Sequence, residues 1–188
     1  MIEFKNLTLE DKPTIDRYFR EVQPRNSECT FTNMFIWRDC YEVQWAIVDG
    51  LLIVKPGQMD ESWILQPYGD YTKCDLRSVF VQLDEYFSSQ GMPFIMRAVT
   101  ESFAQLLETE YPGLFYLEEE RDLFDYTYLG EDLRELKGRK YHSKRNHLSN
   151  FRKNHPDYVY EPMTEDMVEE VWQYLEAWCG QKACSGSL

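Results

Sequence analysis

Five side chains between positions 140 and 152, Lys140, Lys144, Arg145, Asn146 and Arg152, are of the types that hold phosphate. Arginine presents a planar fork of N–H donors that matches two phosphate oxygens, lysine supplies a mobile point charge, and asparagine adds an amide donor. They sit in "LKGRKYHSKRNHLSNFRKNHP", residues 136–156. Between Arg134 and Lys153 stand eight Lys or Arg and one acid, Glu135, and all three histidines (His142, His147, His155) fall here or just beyond. The chain as a whole carries a formal charge of −13, which leaves 12 basic and 32 acidic side chains elsewhere. A concentrated cationic segment on an anionic body is the feature that asks for a function.

Placed on a helix at roughly 100° per residue, Tyr141, Leu148 and Phe151 share one arc, and Lys144 falls inside it. This spacing predicts that Lys144 lies at the inner edge, its stem against Leu148 and Phe151, while Arg145 and Arg152 form an exposed fork on the border. Three readings of the cluster stand side by side. It is a solvated helix answering the acidic body, for example the "EEERD" run at 118–122. It is a reader of nucleic-acid phosphates, for which local charge density matters more than net charge because the Debye length is only ~8 Å. Or it faces anionic lipid head groups. Under the second reading, Tyr141 and the asparagines at 146, 150 and 154 add stacking or backbone hydrogen bonds, and the acidic body favours a shaped target such as transfer RNA.

The elements that must position this helix are legible from patterning. "IEFKNL" reads as a strand, followed by a helix capped by Thr8 and ended by Pro24. A second short helix is expected over 31–41. "EVQWAIV" and "LLIVK" flank Asp49-Gly50, a two-residue hairpin signal. "SWILQP" and "PFIMRAV" read as strands, residues 74–89 and "ESFAQLLETEY" as helices, and "LFYLEEE" and "LFDYTYL" as two more strands. Helix is expected over Asp132–Lys137 and Tyr141–Asn154, then a strand "YVYEPM" and a helix from Thr164 to about Cys179. The order implies an α/β protein, an α+β arrangement around a mixed sheet.

A shift of 156 positions lays the N-terminal strand and helix on the C-terminal ones. Phe4 falls on Tyr160, Thr8 on Thr164, Glu10 on Asp166, Ile15 on Val171 and Tyr18 on Tyr174. Only the two threonines and the two tyrosines in that set are identities, but the pattern suggests a second copy of one unit beginning near Tyr158 and cut short. The apolar face of Met167, Val168, Val171, Trp172, Leu175 and Trp178 then has no sheet of its own, and self-association through this C-terminal helix is expected.

Composition narrows the rest. Hydrophobic residues make up 43% of the chain and aromatics 15%, enough for a sizeable core and against disorder. No apolar run approaches the ~18 residues of a spanning helix, and the N-terminus lacks the apolar run of a signal peptide. Five cysteines (Cys29, Cys40, Cys74, Cys179, Cys184) form no CxxC pair, which fits reduced thiols in a cytoplasmic protein. The histidines are far in sequence from Cys29, Cys40 and Cys74, so no metal site is expected. Glu118–Glu120 with Asp122 and Asp125 have no spacing that pairs two carboxylates for acid–base work, and read as solvated. No P-loop, HExxH or GxSxG pattern occurs.

"FDYTYLGEDLRELKGRKYHSKRNHLSNFRKNHP" resembles the signature of the DUF2156 family, the C-terminal-like domain of phosphatidylglycerol lysyltransferases, and "TFTNMFIWRDCY" is similar to the family's N-terminal helix. The resemblance runs from the first strand to about residue 179. It implies two fused acetyltransferase-like (GNAT) domains with the Lys-Arg-Asn helix near their junction, and transfer of an aminoacyl group from aminoacyl-tRNA. On this reading residues 1–130 are a GNAT-like domain, 131–157 a basic helical connector, and 158–188 the incomplete start, one strand and one helix, of a second GNAT-like domain. Only Lys144, Arg145 and Asn146 carry over, as a binding element. No Gly-x-Gly occurs to cradle a donor's pyrophosphate, so no catalytic residue is assigned and this chain alone is expected to be inactive. Aminoacyl-tRNA or acyl-CoA is the donor expected of the intact family, with no cofactor held by this chain. The alternatives are a non-enzymatic module that binds tRNA or phosphate, and a purely structural acidic domain.

Overall fold

At the centre of the fold is the hairpin that Asp49-Gly50 encodes. In the computed structural model, which describes residues 2–58 and 61–182, β1 (Lys5–Asn6), β2 (Gln44–Val48) and β3 (Leu51–Lys55) form an antiparallel sheet in that order. Val48 faces Leu51 and Trp45 faces Val54 across the hairpin. Asp49 and Gly50 both take positive φ, 48° and 84°, the requirement of a tight turn whose twist matches its strands. The turn is tied from two sides. Tyr18 Oη donates to the Gly50 carbonyl at 3.1 Å, and Gln82 Nε2 donates to Asp49 Oδ2 at 2.8 Å.

The chain divides into two units, Met1–Tyr126 and Thr127–Leu188. In the first, β3 reads as a continuous apolar run because both of its faces are buried. Leu52 and Val54 join Ile15, Phe19, Phe31, Met34 and Trp45 on the side of α1 (Lys12–Val22) and α2 (Phe31–Trp37). Leu51 and Ile53 join Val79, Phe80, Leu83, Phe87, Phe103 and Leu107 on the side of α3 (Leu76–Ser89) and α4 (Glu101–Glu110). This is a mixed α/β layering, as the pattern implied. The pair β4 (Gly57–Gln58) and β5 (Glu61–Ser62) is an addition that the sequence did not announce. The strands read in "SWILQP" and "PFIMRAV" shrink to a two-residue parallel pair, β6 (Ile64–Leu65) and β7 (Met96–Arg97). Two hydrogen bonds between Leu52 and Tyr68, at 2.8 and 2.9 Å, carry the pairing of β3 onward.

The strands expected over 114–120 and 123–129 are not formed. Phe115 and Leu117 pack on the α3–α4 core, Phe115 at 4.9 Å from the Phe80 ring, while Tyr116 is exposed. The alternation is therefore genuine, but it records contact on one side without a backbone partner. Arg121–Leu123 is a 3-10 turn, and Asp125 is held by accepting from the Ser27 N–H at 2.9 Å.

The second unit contains α5 (Gly130–Glu135), α6 (His142–Asn154) and α7 (Val168–Lys182). The strand expected at 158–163, the first strand of the proposed second copy, is not formed either. It is unpaired among the described residues, with Tyr160 95% exposed. The lead-in to α7 does echo the N-terminus. Thr8 (φ −122°, ψ 167°) precedes a 3-10 turn Leu9–Asp11 that runs into α1, and Thr164 (φ −112°, ψ 166°) precedes a 3-10 turn Glu165–Met167 that runs into α7. Every boundary of this start is displaced by the same 156 positions. Hydrogen bonding at each start also lowers a carboxylate pKa, that of Glu10 through its own backbone N–H and then Thr8, and that of Asp166 through Thr164 and then its own backbone N–H. Cys184 and the rest of 183–188 lie outside the described residues.

Candidate functional site

The basic segment is built as a turn and a helix braced by local contacts. Leu136 and Gly138 take positive φ, 50° and 84°, turning the chain between α5 and a 3-10 turn at Arg139–Tyr141 that leads into α6. Arg145 fixes this turn. Its guanidinium donates to the carbonyl of Leu136 and, at 2.8 Å, to that of Gly138. A guanidinium suits this task because its donors lie in one rigid plane and reach two acceptors together.

The expected placement of Lys144 and Arg145 is reversed. Arg145 is half-buried and committed to the backbone, whereas Lys144 is exposed. Leu148 and Phe151, the expected packing stripe, remain 44% and 45% exposed, so Lys144 has no apolar bed to lie in. Only Tyr141 of that arc is buried. Arg152 and Lys153 are exposed, and with Lys144 they make no ion pair among the described residues. Lys144 and Arg152 are eight residues apart, about 12 Å along the axis and about 80° around it.

Lys140 is engaged. Its Nζ lies 2.8 Å from Asp132 Oδ2 and 4.8 Å from the centre of the Tyr141 ring. Tyr141 Oη also donates to Asp132 Oδ2, at 3.3 Å. The hydrogen bond from Lys140 holds the Asp132 carboxyl below its ordinary pKa, and the same bond raises that of Lys140. Lys137 pairs with Glu135. Asn146 is exposed, its amide 3.4 Å from His142 Nδ1. Of the five residues singled out, Lys140 and Arg145 therefore serve the architecture, and Lys144, Asn146 and Arg152 are each exposed, with Asn146 on the face of α6 away from Lys144.

Sequence reasoning missed Asp132, which organises both Lys140 and Tyr141. Its separation from Lys140, eight residues across a turn, matches no helical or strand period. Among the described residues no group of three or more His, Cys, Asp or Glu is placed to hold a metal ion, and no helix is long and apolar enough to cross a membrane.

The C-terminal family of phosphatidylglycerol lysyltransferase matches residues 19–187. The chain belongs to that family. A crystal structure described as a conserved protein of unknown function from Bacteroides thetaiotaomicron VPI-5482 is similar at 35% identity and a TM-score of 0.84. The match covers 98% of this chain and 61% of that one, so the chain spans about three fifths of the solved protein's length. Comparison with curated proteins returned no match.

Proposed function

We propose that this chain is the N-terminal part of a GNAT-like acyl- or aminoacyl-transferase, and that α6 reads the phosphates of a transfer RNA that carries the donor group. The observation that carries this reading is the pair Lys144 and Arg152, two exposed cations about two turns apart on α6 with no ion-pair partner among the described residues, within a chain of the lysyltransferase family. Family membership supports group transfer, and exposed cations in an otherwise acidic protein support a polyanionic donor. The repeated Thr–3-10–helix start supports a tandem of two related domains, of which the second begins near Tyr158. In such an arrangement the activated ester and its acceptor are brought together mainly by positioning. With the donor cradle placed in the second domain, the 188-residue chain alone turns over neither aminoacyl-tRNA nor acyl-CoA.

The test is retardation of unacylated tRNA by the purified chain in ~50 mM salt, where phosphate contacts are strongest. Lys144→Ala and Arg152→Ala are each expected to weaken binding and to reduce the slope of log K against log salt by about one unit. Absence of any retardation by the wild-type chain refutes the phosphate-reading role.

A further inference from the structure

We infer that the cavity at the C-terminal end of α6 is a pocket for one unpaired nucleotide, with guanine the favoured base; the inference rests on the phosphate-reading role of α6. The cavity, about 440 Å³, is lined by Phe151, Asn154, His155, Pro156, Asp157 and Tyr158. Its construction stems from the sequence. Pro156 bars its predecessor from helical geometry, and His155 takes φ −131°, ψ 67°, ending the helix. The next turn, closed by the Tyr158 N–H on the His155 carbonyl at 3.4 Å, folds Tyr158 back onto Phe151. Their ring centres lie 5.1 Å apart at 65°, and His155 lies 4.9 Å from Phe151 at 35°. Phe151 and Tyr158 remain only about half covered, so both rings keep accessible surface.

Half-exposed rings around an open cavity beside free cations suit stacking of an unpaired base, since every base offers a π-face. Electrostatics chooses between an anionic and a cationic occupant. Arg152 and Lys153, on the last turn of the helix, outnumber the single acid Asp157. A nucleotide phosphate is attracted to this end, and an isolated ammonium is not. Asp157 then supplies the discrimination. Neither its carboxylate nor the Asn154 amide makes a hydrogen bond among the described residues, and both line the cavity. A carboxylate only accepts, and guanine alone among the four bases places two adjacent donors, N1–H and the 2-amino group, where one carboxylate meets both. Adenine and cytosine set an acceptor beside their amino group, and uracil offers a single donor between two acceptors.

The experiment uses the full chain and short fluorescein-labelled RNA oligomers of uridine with one central guanosine, adenosine or cytidine, read by anisotropy in low salt. The guanosine oligomer is expected to bind about five-fold tighter or more, the lower bound of a bidentate base contact. Asp157→Asn is expected to abolish that preference, so that the guanosine, adenosine and cytidine oligomers bind alike. Phe151→Ala is expected to weaken the guanosine oligomer about five-fold or more while leaving the salt slope intact. Should Phe151→Ala fail to fold, Asp157→Asn, an exposed side chain, carries the test alone. Equal affinity for all three oligomers with a normal salt slope overturns the pocket and leaves the phosphate surface standing. A guanosine preference that survives Asp157→Asn overturns the pocket as well. If no oligomer binds at all, the pocket and the phosphate surface fall together.

Discussion

Lys144 and Arg145 are neighbours in sequence and opposites in role. Arg145 spends its donors on the carbonyls of Leu136 and Gly138, so Arg145→Ala leaves two carbonyls of a tight turn without their partner. It is expected to lower the stability of the α5–α6 region by about 1–2 kcal/mol, read by the circular dichroism melt. Lys144→Ala is expected to change that melt by less than about 0.5 kcal/mol, because its ammonium has no protein partner. The helical wheel predicted the reverse, since it assigns burial by angle and assumes that an apolar arc is covered. The segment's concentrated positive charge was legible in its composition, but the internal partners of Arg145 and Lys140 were not, because they lie across a turn that no periodic rule describes. A second prediction concerns Cys29, whose thiol donates to Tyr68 Oη at 2.8 Å in the core. Burial pushes the Cys29 pKa up to about 11 and raises that of Tyr68 as well. The unfolded thiol ionises near 8.5. The stabilising share of this group is therefore complete below that pH and is lost as pH rises toward 11, as the unfolded state gives up its proton first. Urea unfolding is expected to show falling stability across that window, with a smaller fall for Cys29→Ala.

Among the elements, the β2–β3 hairpin carries the clearest sequence signal and the tightest geometry. Asp49-Gly50 announced a two-residue turn, which forms, and the burial of β3 on both faces accounts for its continuous apolar run. The tail segments failed for the opposite reason. Residues 114–120 alternate because Phe115 and Leu117 touch a core, and 158–163 have strand-forming residues with no partner, so propensity without pairing produced no strand. The hairpin also constrains a residue far from it in sequence. A Cβ on Gly69 would lie 2.7 Å from Leu51 Cδ2 and 3.3 Å from the Gly50 carbonyl oxygen. Leu51 is buried and cannot step aside, so Gly69→Ala is expected to cost roughly 1–3 kcal/mol, measured by chemical denaturation.

At the scale of the molecule the two units are unequally supported. The first encloses two apolar clusters on either side of its sheet, and the second has a single buried apolar side chain, Tyr141, among its described residues. Val168, Val171, Trp172 and Trp178 lie about half exposed or more along α7. Local opening should therefore be far easier in the second unit. Amide hydrogen exchange is expected to show protection in β3 and α3 persisting long after α6 and α7 have exchanged. Equal protection in both units would contradict this account. The unevenness was foreshadowed by the spacing of Met167, Val168, Val171, Trp172, Leu175 and Trp178, which gave the last helix a broad apolar face. The separation of charge was equally plain from composition, since it depends on counting and not on geometry.

The twin starts at Thr8 and Thr164 have a consequence for how the polypeptide is made. Two segments of one chain open a helix with the same threonine-led 3-10 turn, and the first of them lies in the same unit as the β2–β3 hairpin. Synthesis separates the two starts in time. Residues 5–22 emerge just ahead of β2 and β3 and can close on them while the ribosome is still far from residue 158. The Tyr18 hydroxyl can therefore reach the Gly50 carbonyl before residues 158–182 have been made.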